Sequence, residues 1–432
     1  MKVCEQSQRH SISTRKDWSV HKLSHAFGLI GSGTTPASSE ESFYGGEVPW
    51  LNTGDLTDGE VIEIPKTVTE EAVQRFSALK VYPAESLVIA LYGATIGKLG
   101  ILNRPASVNQ ACCVLAEPRT LDSKFTFYWL WSSRQQIIEL AKGGGQPNIS
   151  QETVRQLRVE APPLPTQKAI ANFLDRKTAA IDALIEKKEK LLALLAEKRS
   201  ALINQAVTKG LNPNVPMKDS GIPWIGEIPE HWVRKRLKYY FGFEKGRNAQ
   251  ELTATYIAEN PGAYPVYSGQ TENEGVMGRI HSFAYDLKEA IFTTTVGAKV
   301  MTSRVVRGQF SLSQNCLVMI PRVIIDVPFV NYQLETIFRH ERAGIPSHMQ
   351  PSLRVDDLRK YDLLVPPESE QRAISKYLRE AEEKRVQIVR AISEQVIALK
   401  EYRQSLITAA VTGQLEIPAE DYEATPTEDR PS

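Results

Sequence analysis

Two long stretches of the chain, residues 162–211 and 366–415, carry apolar side chains at heptad spacing. Such spacing is typical of a helix that buries one stripe against another helix. The predicted stripe of the first stretch consists of Leu174, Ile181, Leu195 and Leu202 in one heptad position and of Leu184 and Leu191 in the other. The predicted stripe of the second consists of Leu378, Ile392, Leu399 and Leu406, with Ile388 and Tyr402. Although Lys188, Arg385 and Gln395 interrupt the stripes, the pattern predicts two long helices.

The two stretches are copies of one unit. They align without a gap at an offset of 204 residues and share PP, Q, AI, L and then E.R..LI..AVT..L. Each begins with a double proline, which favours an extended entry, and each ends at a glycine, Gly210 or Gly413. Because two apolar stripes in one chain can bury each other, we predict an antiparallel coiled coil. The alternative, in which the helices are only a dimerisation zipper, does not explain the globular segment that precedes each copy.

Each predicted helix follows a segment in which short apolar runs alternate with turn residues, as in β-rich domains. Residues 86–117 predict three strands. The two segments keep the 204-residue offset at Gly93 and Gly297 and at Gln110 and Gln314, and they open alike with WSVHKLSHAFGL and WVRKRLKYYFGF. Between such anchors their residues differ widely. The sequence therefore predicts two modules that share a framework and differ in their loops.

The predicted fold class is α+β, with two β-rich modules, each followed by a long helix, and with the helices forming an antiparallel coiled-coil spacer about a pseudo-two-fold axis. The predicted segments are module 1 (residues 1–160), the first helical repeat (161–211), a linker rich in proline and glycine (212–229), module 2 (230–365), the second helical repeat (366–416) and a tail (417–432). We predict that the tail is disordered, because it is acidic and contains prolines.

The charge of the chain gives no support to nucleic-acid binding. The formal net charge is +1; residues 1–160 hold 16 Lys and Arg against 17 Asp and Glu, and residues 217–365 hold 18 against 16. Because nucleic-acid-binding domains are usually basic, any contact with DNA phosphates must be local or shared with a partner. The sequence shows no apolar signal-peptide core and no stretch long enough to span a membrane, which favours a cytoplasmic protein without membrane association.

The sequence contains no recognisable catalytic motif. Residues 93–98, GATIGK, resemble a phosphate loop, but the motif is one residue short and Leu99 replaces the Ser or Thr that would hold magnesium, so we predict a β-turn. Asp356 and Asp357 have no upstream partner with nuclease spacing. The cysteines lack metal-ligand spacing and are interpreted as reduced, mostly buried thiols: Cys4, Cys112, Cys113 and Cys316. We therefore predict no catalytic residue and no metal site on this chain.

Six segments carry a family resemblance: VPWLNTGDL at residues 48–56, YGATIGKLG at 92–100, GQPNIS at 145–150, PPLPTQKAIANFLD at 162–175, IGEIPEHWVRKRLK at 225–238 and PPESEQRAISKYL at 366–378. Together and in this order they resemble the specificity subunits of type I restriction-modification systems, over residues 18–417. Module 2 departs from the pattern, with YPVYSG where module 1 has VPWLNTGD and with GAKV where module 1 has GATIGK.

The resemblance implies that each module is a target recognition domain that reads one half of a split, asymmetric DNA sequence, while the helical repeats fix the separation and dock partners. The implied partners are double-stranded DNA, two modification (methyltransferase) subunits, and restriction subunits that translocate and cleave DNA. Methylation and cleavage then reside in those subunits. The resemblance therefore implies S-adenosylmethionine, ATP and magnesium on the partners and no cofactor on this chain.

Base reading requires side chains that reach base edges, commonly Arg or Lys to guanine and Asn or Gln to adenine. The candidate DNA-binding residues of module 1 are Thr53, Tyr92, Thr95, Lys98, Asn109, Gln110, Gln146 and Asn148. Those of module 2 are Arg247, Tyr267, Ser268, Lys299, Arg304, Gln314 and Asn315. For each of them a turn or strand-cap role is an open alternative. Two rival functions also remain at this point, a stand-alone DNA-binding or architectural protein and a coiled-coil adaptor that binds only protein.

Overall fold

The computed structural model describes residues 17–140, 148–269, 275–297, 299–346 and 348–423. The chain divides into two compact units. Unit 1 comprises residues 1–188 and 394–432, and unit 2 comprises residues 189–393. Each unit therefore combines one β-rich module with parts of both long helices, whereas the sequence analysis treated the helices as separate segments.

Unit 1 contains a mixed five-stranded sheet of order β2-β9-β6-β7-β4, a three-stranded sheet of order β5-β3-β8 and the pair β1-β10. Its strands are β1 (Ser19–Lys22), β2 (Phe27–Ser32), β3 (Tyr44–Leu51), β4 (Gly59–Val61), β5 (Thr67–Val68), β6 (Leu87–Ala90), β7 (Leu99–Leu102), β8 (Ser107–Val108), β9 (Cys112–Pro118) and β10 (Arg158–Ala161). Its helices are α1 (Leu23–Ala26), α2 (Glu70–Arg75), α3 (Ser123–Ser132), α4 (Arg134–Glu139), α5 (Gln151–Gln156) and the first part of α6 (Leu164–Lys209). The three strands predicted within residues 86–117 are confirmed as β6, β7 and β9, with the short β8 between them.

Unit 2 contains a six-stranded sheet of order β14-β19-β17-β18-β15-β16 and the pairs β11-β12 and β13-β20. Its strands are β11 (Met217–Asp219), β12 (Glu227–Pro229), β13 (Val233–Arg236), β14 (Phe241–Lys245), β15 (Pro261–Tyr267), β16 (Val276–Ile280), β17 (Tyr285–Thr294), β18 (Ser303–Leu312), β19 (Cys316–Pro321) and β20 (Asp362–Val365). Its helices are α7 (Ala254–Glu259), α8 (Val327–Ala343), α9 (Val355–Lys360) and the first part of α10 (Glu368–Val411).

The backbone of module 2 repeats that of module 1. In module 1, β3 pairs with β8 in parallel, with Leu51 opposite Val108; in module 2, β15 pairs with β18 in parallel, with Tyr267 opposite Leu312. This register places YPVYSG where module 1 has VPWLNT, as the sequence alignment predicted. Two different side-chain sets are therefore built on one backbone pattern.

The glutamine repeated in both helical stretches explains how each helix joins its module. The side chain of Gln167 accepts a hydrogen bond from the backbone N of Asp122 at 2.8 Å and donates one to the carbonyl O of Pro162 at 2.8 Å. Gln371 makes the same contacts with Asp326 and Pro366, at 3.0 and 2.9 Å. Both glutamines are buried, so each satisfies backbone groups that would otherwise be buried without a partner.

The ends of the two long helices pack against tryptophans. Gly210, which follows α6, has a φ of +74°, and a Cβ there would lie 3.3 Å from the ring of Trp232. Gly413, which follows α10, has a φ of +70°, and a Cβ there would lie 2.8 Å from the ring of Trp18. Glycine is therefore favoured at both positions by the left-handed backbone and by the close approach of the ring. Trp18 and Trp232 each stand just before the first strand of a module.

Within unit 1 the two long helices run antiparallel. Arg403 Nε forms an ion pair with Asp182 at 2.9 Å, and Lys188 Nζ donates a hydrogen bond to Gln395 at 2.6 Å, so residue numbers rise along one helix as they fall along the other. Within unit 2, Arg199 Nε contacts Glu382 at 2.9 Å. These contacts confirm the predicted antiparallel pairing.

The seam between the helices confirms one predicted heptad position and corrects the other. The residues of the first position are buried or half-buried, namely Leu174, Ile181, Leu195, Leu202, Leu378, Ile392, Leu399 and Leu406. The second position was wrong by one residue, because the predicted side chains are exposed: Leu184, Leu191, Ile388 and Tyr402. The residues that follow them are more buried, namely Ile185, Leu192, Val389 and Arg403. Adjacent apolar residues at 184–185, 191–192 and 388–389 fit a spacing of three or of four, so the sequence pattern did not fix the register.

The predicted disordered tail is corrected over residues 417–422. Ile417 and Asp421 are buried, and a short helix, α11 (Glu420–Glu423), follows. Arg176 binds the carboxylates of Glu420 and Asp421 at 2.9 and 2.7 Å. Acidic composition predicted disorder because the sequence does not reveal this basic partner on α6.

Candidate nucleic-acid interface

Four loops of module 1 meet at one end of its sheets, and we name them the loop edge of module 1: residues 33–35, 52–55, 92–95 and 109–111. The backbone N of Asn109 donates to the carbonyl O of Leu51 at 2.9 Å, and the backbone N of Leu91 donates to that of Ala111 at 2.8 Å. Asn109 also donates through Nδ2 to Asn52 Oδ1 at 3.2 Å. The loops are therefore fixed to one another by hydrogen bonds.

The close approach of these loops depends on a glycine in each module. A Cβ at Gly33 would lie 1.5 Å from the carbonyl O of Val108, and one at Gly246 would lie 2.7 Å from that of Leu312. Val108 and Leu312 are equivalent at the 204-residue offset. Any side chain at Gly33 would therefore force this end of module 1 apart.

The structure brings most candidate residues of module 1 to this loop edge. Thr53 and Thr95 lie half-buried in short 3-10 turns, Tyr92 pairs by a backbone bridge with the exposed Asn148, and Gln110 is exposed and bonded to Thr35.

Of the three other candidates of module 1, one has a structural task, one lies outside the four loops and one lies outside the described residues. Asn109 is engaged with Asn52 and with the backbone N of Ala111, which is the strand-cap role that the sequence analysis left open. Lys98 lies half-buried just before β7. Gln146 lies outside the described residues. A direct contact of any candidate with a base stays a prediction.

Module 2 has a matching loop edge, formed by residues 245–251, 295–297, 313–316 and 352–354. The backbone N of Ser313 donates to the carbonyl O of Tyr267 at 2.9 Å, and that of Thr295 donates to Asn315 at 2.8 Å, as at the equivalent positions of module 1. Here the loops line a cavity of about 1010 Å³. Among its lining side chains are the exposed candidates Gln314 and Asn315.

Other candidates of module 2 do not line this cavity. The ring of Tyr267 packs on Phe292 and Phe310, with centroids 5.7 Å apart in each case, and Ser268 is buried, so the structure gives both a packing role. Arg247 is tied to Glu244 at 2.8 Å and stacks over the ring of Tyr285.

The last two candidates of module 2, Lys299 and Arg304, lie outside its loop edge. The exposed Lys299 offers its backbone carbonyl to Thr294 and Thr302. Arg304 lines a second cavity, together with Arg339 and Arg342 of α8. Sequence reasoning missed these two arginines. The available signal was their spacing of three residues on a helix, which places both on one face.

The cysteines of both modules have the properties of buried structural thiols. Burial raises the pKa of Cys113 to about 12 and that of Cys316 to about 11, and burial also raises the pKa of Cys112. A thiol with a raised pKa holds little thiolate at neutral pH and is a poor nucleophile. Cys4 lies outside the described residues.

Within the described part of the chain, no group of three or more His, Cys, Asp or Glu side chains could hold a metal ion. No helix in the same part is long and apolar enough to cross a membrane. The geometry described so far is that of two binding surfaces on rigid loops.

Two modules with one backbone pattern, each packed with the end of a long helix, define a duplicated recognition protein of the α+β class. A family model described as "Type I restriction modification DNA specificity domain" matches residues 15–193 and 229–398. The chain belongs to this family and is a non-catalytic specificity subunit with two recognition domains.

Relatives agree with this assignment over nearly the whole chain. The sequence is 22% identical over 423 residues to the type I restriction enzyme MjaIX specificity subunit of Methanocaldococcus jannaschii, covering 93% of this chain and 94% of that protein. It is 26% identical over 196 residues to the type I restriction enzyme EcoKI specificity subunit of Escherichia coli (strain K12), covering 44% of this chain and 39% of that protein.

The fold is similar to that of a chain from a structure described by complex assembly and conformational transition of the type I R-M system. The TM-score is 0.66 and the identity 16%, over 93% of this chain and 99% of the other. At this identity the similarity concerns the fold alone.

Proposed function

We propose that the chain reads a bipartite, asymmetric DNA target, with module 1 contacting one half and module 2 the other. The observation that carries this proposal is that the two loop edges share backbone contacts and differ in side chains. A recognition scaffold that is kept while its contact residues vary would produce this combination. The exposed loop-edge residues Gln110, Gln314 and Asn315, and the exposed Asn148 that pairs with Tyr92, are suited to reach base edges.

We further propose that α6 and α10 dock two modification subunits and that restriction subunits join this assembly. Support comes from large apolar side chains exposed on the helices, namely Leu184, Ile397 and Tyr402 in unit 1 and Leu191, Leu194 and Ile388 in unit 2. Such side chains on an otherwise charged helix suit a protein interface. S-adenosylmethionine, ATP and magnesium would bind to the partners, and the assembly would work in the cytoplasm.

The test is a module exchange. Residues 1–160 are replaced by the same region of a relative, the chain is assembled with its modification subunits, and methylated sites are mapped. One half of the target should change and the other should stay, because each module carries its own loop edge. A change in both halves would contradict the proposal. Sequence-specific binding by the chain without partners would favour a stand-alone DNA-binding protein, and assembly without any DNA binding would favour an adaptor.

A further inference from the structure

Module 2 contains a cavity of about 410 Å³ whose wall carries four arginines, and we name it the arginine cavity. It lies between the start of β18 and the exposed side of α8. The charged and amide side chains of its lining are those of Arg199, Arg304, Asn331, Glu335, Arg339 and Arg342. Arg304 and Arg339 are half-buried, whereas Arg342 is exposed at the rim.

The arginines of the cavity differ in how far nearby carboxylates compensate their positive charges. Arg199 is neutralised by Glu335 and Glu382, each at 2.9 Å. Arg339 donates only to the backbone carbonyl of Ser200, at 3.5 Å, and Arg342 makes no side-chain hydrogen bond or ion pair with any described residue. The guanidinium groups of Arg339 and Arg342 therefore form no ion pair with any described carboxylate, although both line the cavity. An anion in this space would relieve the repulsion among them.

The surroundings of Arg339 disfavour its charged form. Burial lowers the pKa of its guanidinium; Glu335 opposes this effect, and the positive charges of Arg199 and Arg342 add to it. Since an arginine side chain stays protonated in proteins, the direction of this shift indicates that its charge is partly desolvated. A bound anion would supply the missing stabilisation.

Two residues that line the cavity have unfavourable local conformations or contacts. Asn331 is 7% exposed and donates to Glu335, but its Oδ1 has no partner among the described residues. Buried polar atoms without a partner are rare in folded proteins. Met301 adopts a left-handed φ of +58°, where the equivalent position of module 1 is Gly97 with a φ of +76°. Strained backbone at a non-glycine residue is often found at binding sites.

The equivalent place in module 1 carries different side chains. At the 204-residue offset the two α8 arginines correspond to Gln135 and Ile138. Trp131 occupies the position of Glu335, and Arg403, the equivalent of Arg199, stacks on its ring at 4.3 Å from the centroid. The shared framework therefore does not require a cluster of arginines, and module 2 has acquired one.

The arginine cavity adjoins the loop edge of module 2. The backbone N of Thr302, in the wall of the cavity, donates to Thr294 Oγ1 at 3.1 Å, and the next residue, Thr295, belongs to the loop edge. The cavity wall and the loop edge are therefore joined by a hydrogen bond and by one peptide bond. This neighbourhood favours nucleic acid over an acidic protein surface as the source of the anion.

We propose that the arginine cavity binds a phosphate group of the DNA backbone beside the half-site read by module 2. The proposal rests on the proposed function. Guanidinium groups match phosphate oxygens with paired hydrogen bonds, and phosphate contacts position a protein on DNA without reading bases. The cavity would thus fix the register of module 2 on the duplex.

The test measures DNA binding of the assembled complex over a range of salt concentrations, for wild type, Arg339→Gln and Arg342→Gln. Both a mixed-sequence duplex and the methylated target are used. The slope of log K against log salt is negative, and loss of one phosphate contact should make it shallower by about 0.9, equally on both duplexes. Arg307→Gln is the matched control, because Arg307 lies on β18 but pairs with Glu289 outside the cavity. Its slope should equal that of wild type.

The remaining outcomes separate the possible anions. Unchanged slopes in both α8 variants overturn the proposal. Inorganic phosphate that raises the melting temperature of wild type but not of Arg342→Gln, with unchanged DNA slopes, would assign the cavity to a free anion. Loss of a protein partner at unchanged slopes would assign it to an acidic protein surface. If wild type shows no sequence preference, the proposed function fails, while the slopes still decide on the cavity. Arg342 is exposed, so its replacement leaves the fold intact.

Discussion

At the scale of single residues, unit 2 depends on a chain of ion pairs that runs across three helices. Arg199 of α6 binds Glu335 of α8 and Glu382 of α10, and Arg385 donates to the same Glu382 at 2.7 and 2.9 Å. The hydrogen bonds from Arg385 lower the pKa of the Glu382 carboxyl, partial burial opposes the shift, and the charge of Arg199 adds to it. Each pair is less than one third exposed, so solvent screens it only in part.

We predict that Glu382→Gln makes unit 2 less stable and less sensitive to acid. Because the folded-state pKa lies below the ordinary value of 4.5, the carboxylate contributes stability above that pH, and the contribution is lost as the pH falls through the lower folded value. We expect a loss of about 1 kcal/mol near neutral pH. Urea unfolding at neutral and acidic pH measures it. Glu383→Gln is the control, since Glu383 is exposed on the same helix. An acid dependence identical to that of wild type would refute the prediction.

The same scale shows why the candidate site was only partly predictable. Asn, Thr and Tyr are residues that read bases and also residues that fix turns. Asn109 fixes a turn and Tyr267 packs in a core, whereas Asn315 is exposed with a left-handed φ of +63°, which asparagine tolerates better than most residues. Sequence alone located the loops, because glycine and the repeat mark them. The sequence did not show which side chains project into solvent, because that depends on contacts between residues distant in sequence.

At the scale of elements, the duplication predicted both long helices and their direction. Their inner faces were assigned incorrectly at one of two heptad positions. Ile185 is 7% exposed and its neighbour Leu184 is 42% exposed, although both are apolar. Which of the two is buried depends on the partner helix and on α3, whose Trp131 donates a hydrogen bond to Gln404 of α10 at 3.2 Å. Helix packing, rather than the pattern along one helix, decides the register.

We predict that Ile185→Asp and Leu184→Asp differ strongly in effect. The first buries a carboxylate in the seam of unit 1 and should cost several kcal/mol of unfolding free energy. The second places a charge in solvent and should change stability by less than about 0.5 kcal/mol. Thermal unfolding followed by circular dichroism measures both. Equal destabilisation by the two substitutions would mean that the seam includes Leu184 after all.

The Leu184 variant also reports on partner docking, since it should fold and bind modification subunits less tightly.

At the scale of the whole molecule, α6 and α10 are the only continuous elements of the described residues that contribute to both units. Each is an uninterrupted helix of more than 40 residues, 46 in α6 and 44 in α10. An α-helix rises about 1.5 Å and turns about 100° per residue, so inserted residues change both its length and its rotation by known amounts. The helices are therefore the parts of the chain whose length should set the distance between half-sites.

We predict that inserting one heptad after Lys188 and another before Gln395 lengthens the preferred target. Seven residues add about 10 Å to a helix and preserve the seam, which corresponds to roughly three base pairs of DNA. Methylation mapping of the assembled complex on targets of different spacer length measures the shift. Inserting four residues after Lys188 alone adds about 6 Å and a rotation of roughly 40° to one helix only. The pairing of Lys188 with Gln395 and that of Arg199 with Glu382 can then no longer both be kept, so this variant should lose binding. An unchanged spacing preference in the heptad variant would show that partner subunits set the distance.

The contact of each helix end with a tryptophan bears on how the duplicated chain evolved. Gly413, at the end of the second copy, rests on Trp18 of module 1, and Gly210, at the end of the first copy, rests on Trp232 of module 2. Neither half of the chain completes a unit alone, because each lends its helix end to the other. Two identical half-length chains could exchange these ends in the same way. An ancestor of that kind would have carried two identical loop edges about a two-fold axis, and gene fusion followed by divergence of the loops would have made them different.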